Sequence, residues 1–130
     1  MTEETKALVR QGIVPIVLGN DRMAHRLSFR LYRTFGLPSI LCACRRTVWD
    51  VLDPTSAFRR VSGERVSRLM AEQLLDLAAE YEDCLLLLIP TSEEDQRLLE
   101  MYGERLEAHF VCRMPDALWN EPMLNALRFG

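Results

Sequence analysis

The sequence is short of the residues that chemistry most often uses. It holds two histidines, His25 and His109, with four cysteines and six glycines in 130 residues. It has no G-x-x-x-x-G-K-[S/T] run, which excludes a P-loop. It has no G-x-S-x-G elbow, and neither histidine has a serine or cysteine partner at a strand end. It lacks the roughly 20 consecutive apolar residues of a membrane helix, since its most hydrophobic stretch is only Cys84–Ile89. Met1–Arg10 carries charges of both signs and no apolar stretch, so it does not read as a secretory signal. Lysine is almost missing, Lys6 being the only one among sixteen cations.

What remains is the composition of a globular domain, 48% hydrophobic and 27% charged. A chain of this length buries roughly two thirds of its unfolded surface, enough for one core and no second domain. Residues 1–130 are therefore read as a single cytoplasmic domain. The net charge of −3 argues against a nucleic-acid partner, and the short apolar runs argue against a membrane. Residues 1–70 carry twelve basic and six acidic side chains, residues 71–130 four and thirteen. Arg22, Arg26, Arg30 and Arg33 are spaced 4, 4 and 3 apart, along one helix face. They read either as a solvated face or as a stripe that docks on an acidic surface. Cys42, Cys44, Cys84 and Cys112 fall in apolar runs, and C-x-C is not a zinc-knuckle spacing. Buried free thiols without metal are expected.

Ile13–Gly19 has no alternation of polar and apolar residues, which suits a strand buried on both faces. Asn20 or Asp21 caps the helix Arg22–Phe35, whose Met23, Leu27, Leu31 and Phe35 fall at helical spacing before Gly36 and Pro38 stop it. Ser39–Cys44 reads as the second strand. Arg45–Gly63 reads as a loop with a short extended piece at Phe58–Val61. Ser62 is the expected cap of a helix from Glu64 to Tyr81, with Val66, Leu69, Met70, Leu74, Leu77 and Tyr81 as its apolar stripe. Cys84–Ile89 reads as the central strand. Ser92 and Asp95 resemble a capping box, and Glu93–Asp95 suit the positive end of a helix that runs to about Tyr102 and Gly103. Ala108–Cys112 reads as the fourth strand, and 114–130 as a helical segment.

Strands alternating with helices imply an α/β fold, here a three-layer, doubly wound parallel sheet of about four strands in the order 2-1-3-4. Ligands of such folds bind at the carboxyl ends of the strands. That edge comprises Gly19–Arg22, Arg45–Trp49, Pro90–Asp95 and Arg113–Pro115. A dinucleotide fold places G-x-G-x-x-G after the first strand, but here only Gly19 is present and Asp21 repels a pyrophosphate. Arg45 and Arg113, at strand ends, suit a substrate carboxylate. No catalytic constellation and no metal-ligand set emerges.

Three segments carry a resemblance: V-P-I-V-L-G-N-D at 14–21, F-G-L-P-S-I at 35–40 and L-L-L-L-I-P-T-S-E-E-D-Q-R-L-L at 85–99. In this order the chain resembles the Rossmann-like N-terminal domain that precedes the ATP-grasp domain of ATP-grasp ligases. It is most similar to the carboxylate–amine ligases of the D-aspartate ligase and carbamoyl-phosphate-synthase-like kind. The matched positions are Gly19, Gly36–Ser39, and Pro90 and Thr91 with Glu93–Asp95. Asn20 departs from the small residue more usual in that turn. The resemblance implies a parent enzyme that joins a carboxylate to an amine through an acyl phosphate. ATP and Mg²⁺ would be held by an ATP-grasp domain of the same polypeptide and not by this chain, which would be inactive in isolation. This domain would form one wall of the acceptor site, through Gly19, Asn20, Asp21, Arg45, Thr91 and Arg113. The alternative is a stand-alone Rossmann-like module that recognises a small anion or a protein. Leu118, Trp119, Met123, Leu124 and Leu127 give the chain's end an unusual apolar density. They imply either an uncovered face and a homodimer, or a segment that folds back onto the core.

Overall fold

The computed structural model describes residues 12–120. The elements run β1 (Ile13–Leu18), α1 (Arg22–Phe35), β2 (Ser39–Ala43), α2 (Val48–Leu52), β3 (Ser56–Arg60), α3 (Arg68–Glu80), β4 (Leu85–Ile89), α4 (Glu93–Glu107) and β5 (Val111–Cys112), followed by a 3-10 helix, Pro115–Asn120. The five strands form one sheet in the order β3-β2-β1-β4-β5. Every pairing is parallel, with Ile16 of β1 opposite Ile40 of β2 on one side and Leu88 of β4 on the other.

The fold is thus α/β with a parallel sheet, but of five strands rather than four. The extra strand, Ser56–Arg60, lies within the stretch read as a loop and overlaps the short extended piece expected at Phe58–Val61. β3 is Ser-Ala-Phe-Arg-Arg, partly exposed along its length, and has no apolar run to betray it. It pairs with β2 alone. Its charges protect a sheet edge: Arg59 bonds Glu80 at 2.6 Å, and the Arg46 guanidinium lies 5.1 Å over the Phe58 ring. The centre of the sheet is β1, buried at every residue, and not β4 as its hydrophobicity suggested.

Helices cover both faces. On one, Ala24, Leu31 and Phe35 of α1 meet Val17, Leu41 and Leu87 of the sheet. On the other, Met70, Leu74 and Leu77 of α3 and Leu98 and Leu106 of α4 meet Ile16, Ile40 and Leu88. Leu118 belongs to the α1 side, where Trp119 stacks on Phe35 with ring centroids 5.7 Å apart. Leu118 is thus part of the core, and Trp119 packs against it partly exposed. Met123, Leu124 and Leu127 lie outside the described residues.

Several boundaries differ from expectation. α3 starts at Arg68, capped by Ser67, whose Oγ accepts from the Met70 amide at 3.1 Å. Ser62 Oγ accepts from the Glu64 amide at 3.1 Å and does not cap α3. Leu69 and Met23 face outward, and the buried face of α1 is Ala24, His25, Ser28, Leu31 and Phe35. α4 passes through Gly103 to Glu107, since the burial of Leu106 offsets the roughly 1 kcal/mol that glycine costs a helix. That extension shortens the last strand to Val111–Cys112. Of the four thiols, all free, only Cys42 is buried, and Cys44 lies exposed beyond the end of β2. Among the described residues no helix is long and apolar enough to cross a membrane.

Candidate functional site

Two polar clusters occupy the region where β1 hands the chain to α1. The first sits between β1 and β4. Gly19 has φ +124°, a conformation that side chains rarely adopt, and a Cβ there would lie 2.9 Å from Thr91 Oγ1. Thr91 donates its hydroxyl to the Leu18 carbonyl, and its amide donates to Asp95 Oδ2 at 3.1 Å. Asp95 is fully buried. Arg65 reaches it from the segment before α3, with Nη2 at 2.7 Å from Oδ1 and 2.8 Å from Oδ2, and Nε at 3.0 Å from Oδ1. The capping role expected of Asp95 is therefore corrected in part. Ser92 does cap α4, accepting from the Asp95 amide at 3.1 Å, but the Asp95 carboxylate turns inward to Arg65 and Thr91.

The second cluster centres on His25, in the first turns of α1 and 7% exposed. Its Nε2 lies 2.8 Å from Asp50 Oδ1 and its Nδ1 2.7 Å from Asp53 Oδ2. An ionised carboxylate only accepts, so both bonds are complete when both ring nitrogens carry hydrogen. Asp50 also accepts from Asn20 Nδ2 and the Thr47 amide, each at 2.7 Å. Asp53 accepts from the Thr55 amide at 2.8 Å and from Ser56 Oγ at 3.0 Å. Burial pushes the Asp53 carboxyl upward, but its bonds from Thr55, His25 and Ser56 outweigh this and hold it below the usual range.

These bonds fix α2, a five-residue helix with no buried residue. So short a helix cannot hold itself by propensity. Asp50 and Asp53 tie it to α1, and its apolar side chains remain outside. Phe29, Trp49, Leu52 and Pro54 wall a cleft of about 280 Å³, with His25 and Asp53 at its floor.

The expected site residues divide between these clusters. Gly19 and Thr91 meet in the first. Asn20 belongs to the second, and its Nδ2 also donates to the Arg45 carbonyl at 2.6 Å. Asp21 is the α1 cap, its Oδ1 accepting from Ala24 at 2.9 Å. Arg45 and Arg113 are exposed; Arg113 Nη1 donates to the Cys112 carbonyl at 3.0 Å. His25, Asp50, Asp53 and Arg65 were not singled out as site residues, and Asp95 reads in the sequence only as a capping and dipole residue. Their signal was faint: a histidine and a serine among the positions that α1 buries, and acids three apart at 50 and 53.

Chemically, the arrangement binds itself. Both nitrogens of His25 are engaged, which leaves it no free base. Among the described residues no group of three or more His, Cys, Asp or Glu is placed to hold a metal ion. Nor do the edge residues fit a triphosphate: α1 begins on the Asp21 carboxylate, and α4 on Ser92 followed by Glu93 and Glu94. A helix start attracts phosphate only where its amides are free and no anion precedes it. Burial pushes the Cys42 thiol up to about 12, only partly opposed by Arg59, so it is no nucleophile. Searches against family models, curated proteins and solved structures found no match to this chain.

Proposed function

We propose that this chain is the Rossmann-like, substrate-side domain of an ATP-grasp carboxylate–amine ligase, and that it has no catalytic activity alone. One observation carries the reading. While 35–40 leads into the start of β2 at the opposite edge, the other two resembling segments, 14–21 and 85–99, meet at the carboxyl edge of one parallel sheet, where Gly19 after β1 lies against Thr91 after β4. This is the switch point at which such sheets present a substrate wall. In this reading another domain of the same polypeptide holds ATP and Mg²⁺. That domain supplies the chemistry of carboxylate activation. Here the exposed Arg45 and Arg113 are the side chains suited to orient a substrate carboxylate.

The test is the polypeptide encoded by the complete gene, assayed for ADP release in the presence of Mg-ATP, a carboxylate and an amine. ADP release that needs both co-substrates, and that weakens with Arg45→Ala or Arg113→Ala mainly through KM, supports the reading. A complete polypeptide that neither binds nor turns over Mg-ATP removes it.

A further inference from the structure

The outer face of α1 contains no acidic residue, while Arg22, Arg26, Arg30 and Arg33 all lie on it, exposed. Among the described residues none of the four makes an ion pair. Elsewhere on the surface, Arg59 and Arg68 pair with Glu80 and Glu72. Arg30 lies 4.0 Å over the Trp119 ring, and among the described residues none of the four guanidiniums has its charge matched by a carboxylate, which leaves the stripe open to an anion from outside. They flank an apolar cleft. Phe29 separates a basic groove, lined by Arg26, Arg30 and Arg33, from the apolar cleft walled by Trp49, Leu52 and Pro54. Arg33 lies 5.7 Å over the Phe29 ring, which sets a cation at the cleft's rim. Phe29, Trp49 and Leu52 are 49%, 42% and 66% exposed, a concentration of large apolar side chains that marks an interaction surface.

We infer that the α1–α2 face is a docking site for an acidic segment of a protein partner that inserts a large apolar side chain between Phe29, Trp49 and Leu52 and sets carboxylates against Arg26, Arg30 and Arg33. The charge complementarity selects an acidic occupant. The cleft, of about 280 Å³ and walled by Phe29, Trp49, Leu52 and Pro54, has room for a large apolar side chain. An apolar cleft beside a basic strip is the form that receives an amphipathic segment by its anchor residues. The α2 wall is set in place by the His25 bonds to Asp50 and Asp53, so the cleft exists before the partner arrives. This inference stands apart from the ligase reading and holds whether or not the chain belongs to such an enzyme.

The probe is a synthetic amphipathic peptide of about 15 residues, with leucine at helical anchor spacing and glutamate at the remaining positions. It is titrated into the full ¹⁵N-labelled chain. Controls are the same peptide with lysine for glutamate, and vesicles of phosphatidylserine and phosphatidylcholine. Saturable shifts at Phe29, Trp49 and Leu52 are expected with the acidic peptide alone. Its affinity should fall with added salt, and by at least about tenfold in both Arg26→Glu/Arg33→Glu and Leu52→Ser. These side chains are exposed, and the salt series on the unaltered chain stands even where a variant folds poorly. Absence of saturable shifts, equal binding of the lysine peptide, salt-independent affinity, or binding of the vesicles in place of the peptide would each overturn the inference.

Discussion

Arg65 and Asp95, thirty residues apart, form a forked ion pair in which Nη2 lies 2.7 and 2.8 Å from the two carboxylate oxygens. Asp95 is fully buried while Arg65 keeps a third of its surface in solvent. The pair joins the segment before α3 to the start of α4, and a further bond from Nη2 to the Leu18 carbonyl, at 3.3 Å, brings in β1. Removing the cation strands a buried charge. Arg65→Ala is therefore expected to cost about 3–5 kcal/mol in chemical denaturation. Arg65→Lys should recover only part of this, because an ammonium has no fork to match both oxygens. Equal stability of the lysine variant and the parent would show that charge alone suffices.

Gly19 tests the packing of the same edge. Gly19→Ala meets both an unfavourable φ and the Thr91 hydroxyl, and an expected loss of about 1–3 kcal/mol follows from the backbone strain alone. Thr91→Ala removes the close contact but not the strain. Denaturation of the two single variants and the double variant should show positive coupling, with the double variant less destabilised than the sum. Strict additivity would mean that the glycine is required only for its φ.

His25 carries α2. His25→Ala leaves two inward carboxylates without their shared donor, and a loss of about 2–4 kcal/mol is expected. Hydrogen exchange should find the Val48–Leu52 amides released more than those of β1 or β4. Uniform loss of protection would show that the cluster holds the whole domain rather than one short helix.

Acid should act through Asp53. Its folded carboxyl titrates below the unfolded value of about 3.9. Between these two values the unfolded chain binds more protons than the folded one, so stability rises with pH there. The contribution is complete above the unfolded value and is lost as pH falls through the folded one. Asp53→Asn should flatten this part of the acid limb in urea titrations at successive pH values. An unchanged limb would place the acid sensitivity elsewhere.

The thiols should separate by access. Cys44 is exposed, while Cys42 is buried and held protonated by its surroundings. A thiol reagent on the native chain is expected to label Cys44 and spare Cys42 until denaturant is added. Labelling of Cys42 at the native rate of Cys44 would mean that β2 opens locally.

The chain's layout was legible where one face or one period dominated. The apolar run of β1, the helical spacing of α1 and the Gly36 stop at φ +70° all appear where the residues put them. Asp21 and Ser92 are caps, as their places before apolar periodicity implied. What was hidden depends on partners distant in sequence. Arg59 and Arg60 made β3 look like loop, because an edge strand needs no apolar run when only one neighbour pairs with it. Asp95 read as a dipole partner because nothing near it in sequence announces Arg65. His25 offered only its place on the α1 face that turns inward. Polar clusters of this kind are assembled by topology, and local patterns carry little trace of them.

The central claim is that this chain is the substrate-side domain of a ligase and leaves ATP to another domain. Calorimetric titration of Mg-ATP into the 130-residue chain tests it most directly. With Asp21 at the start of α1 and Glu93 and Glu94 at the start of α4, no saturable heat is expected. Saturable, one-to-one binding at micromolar Mg-ATP would contradict the account.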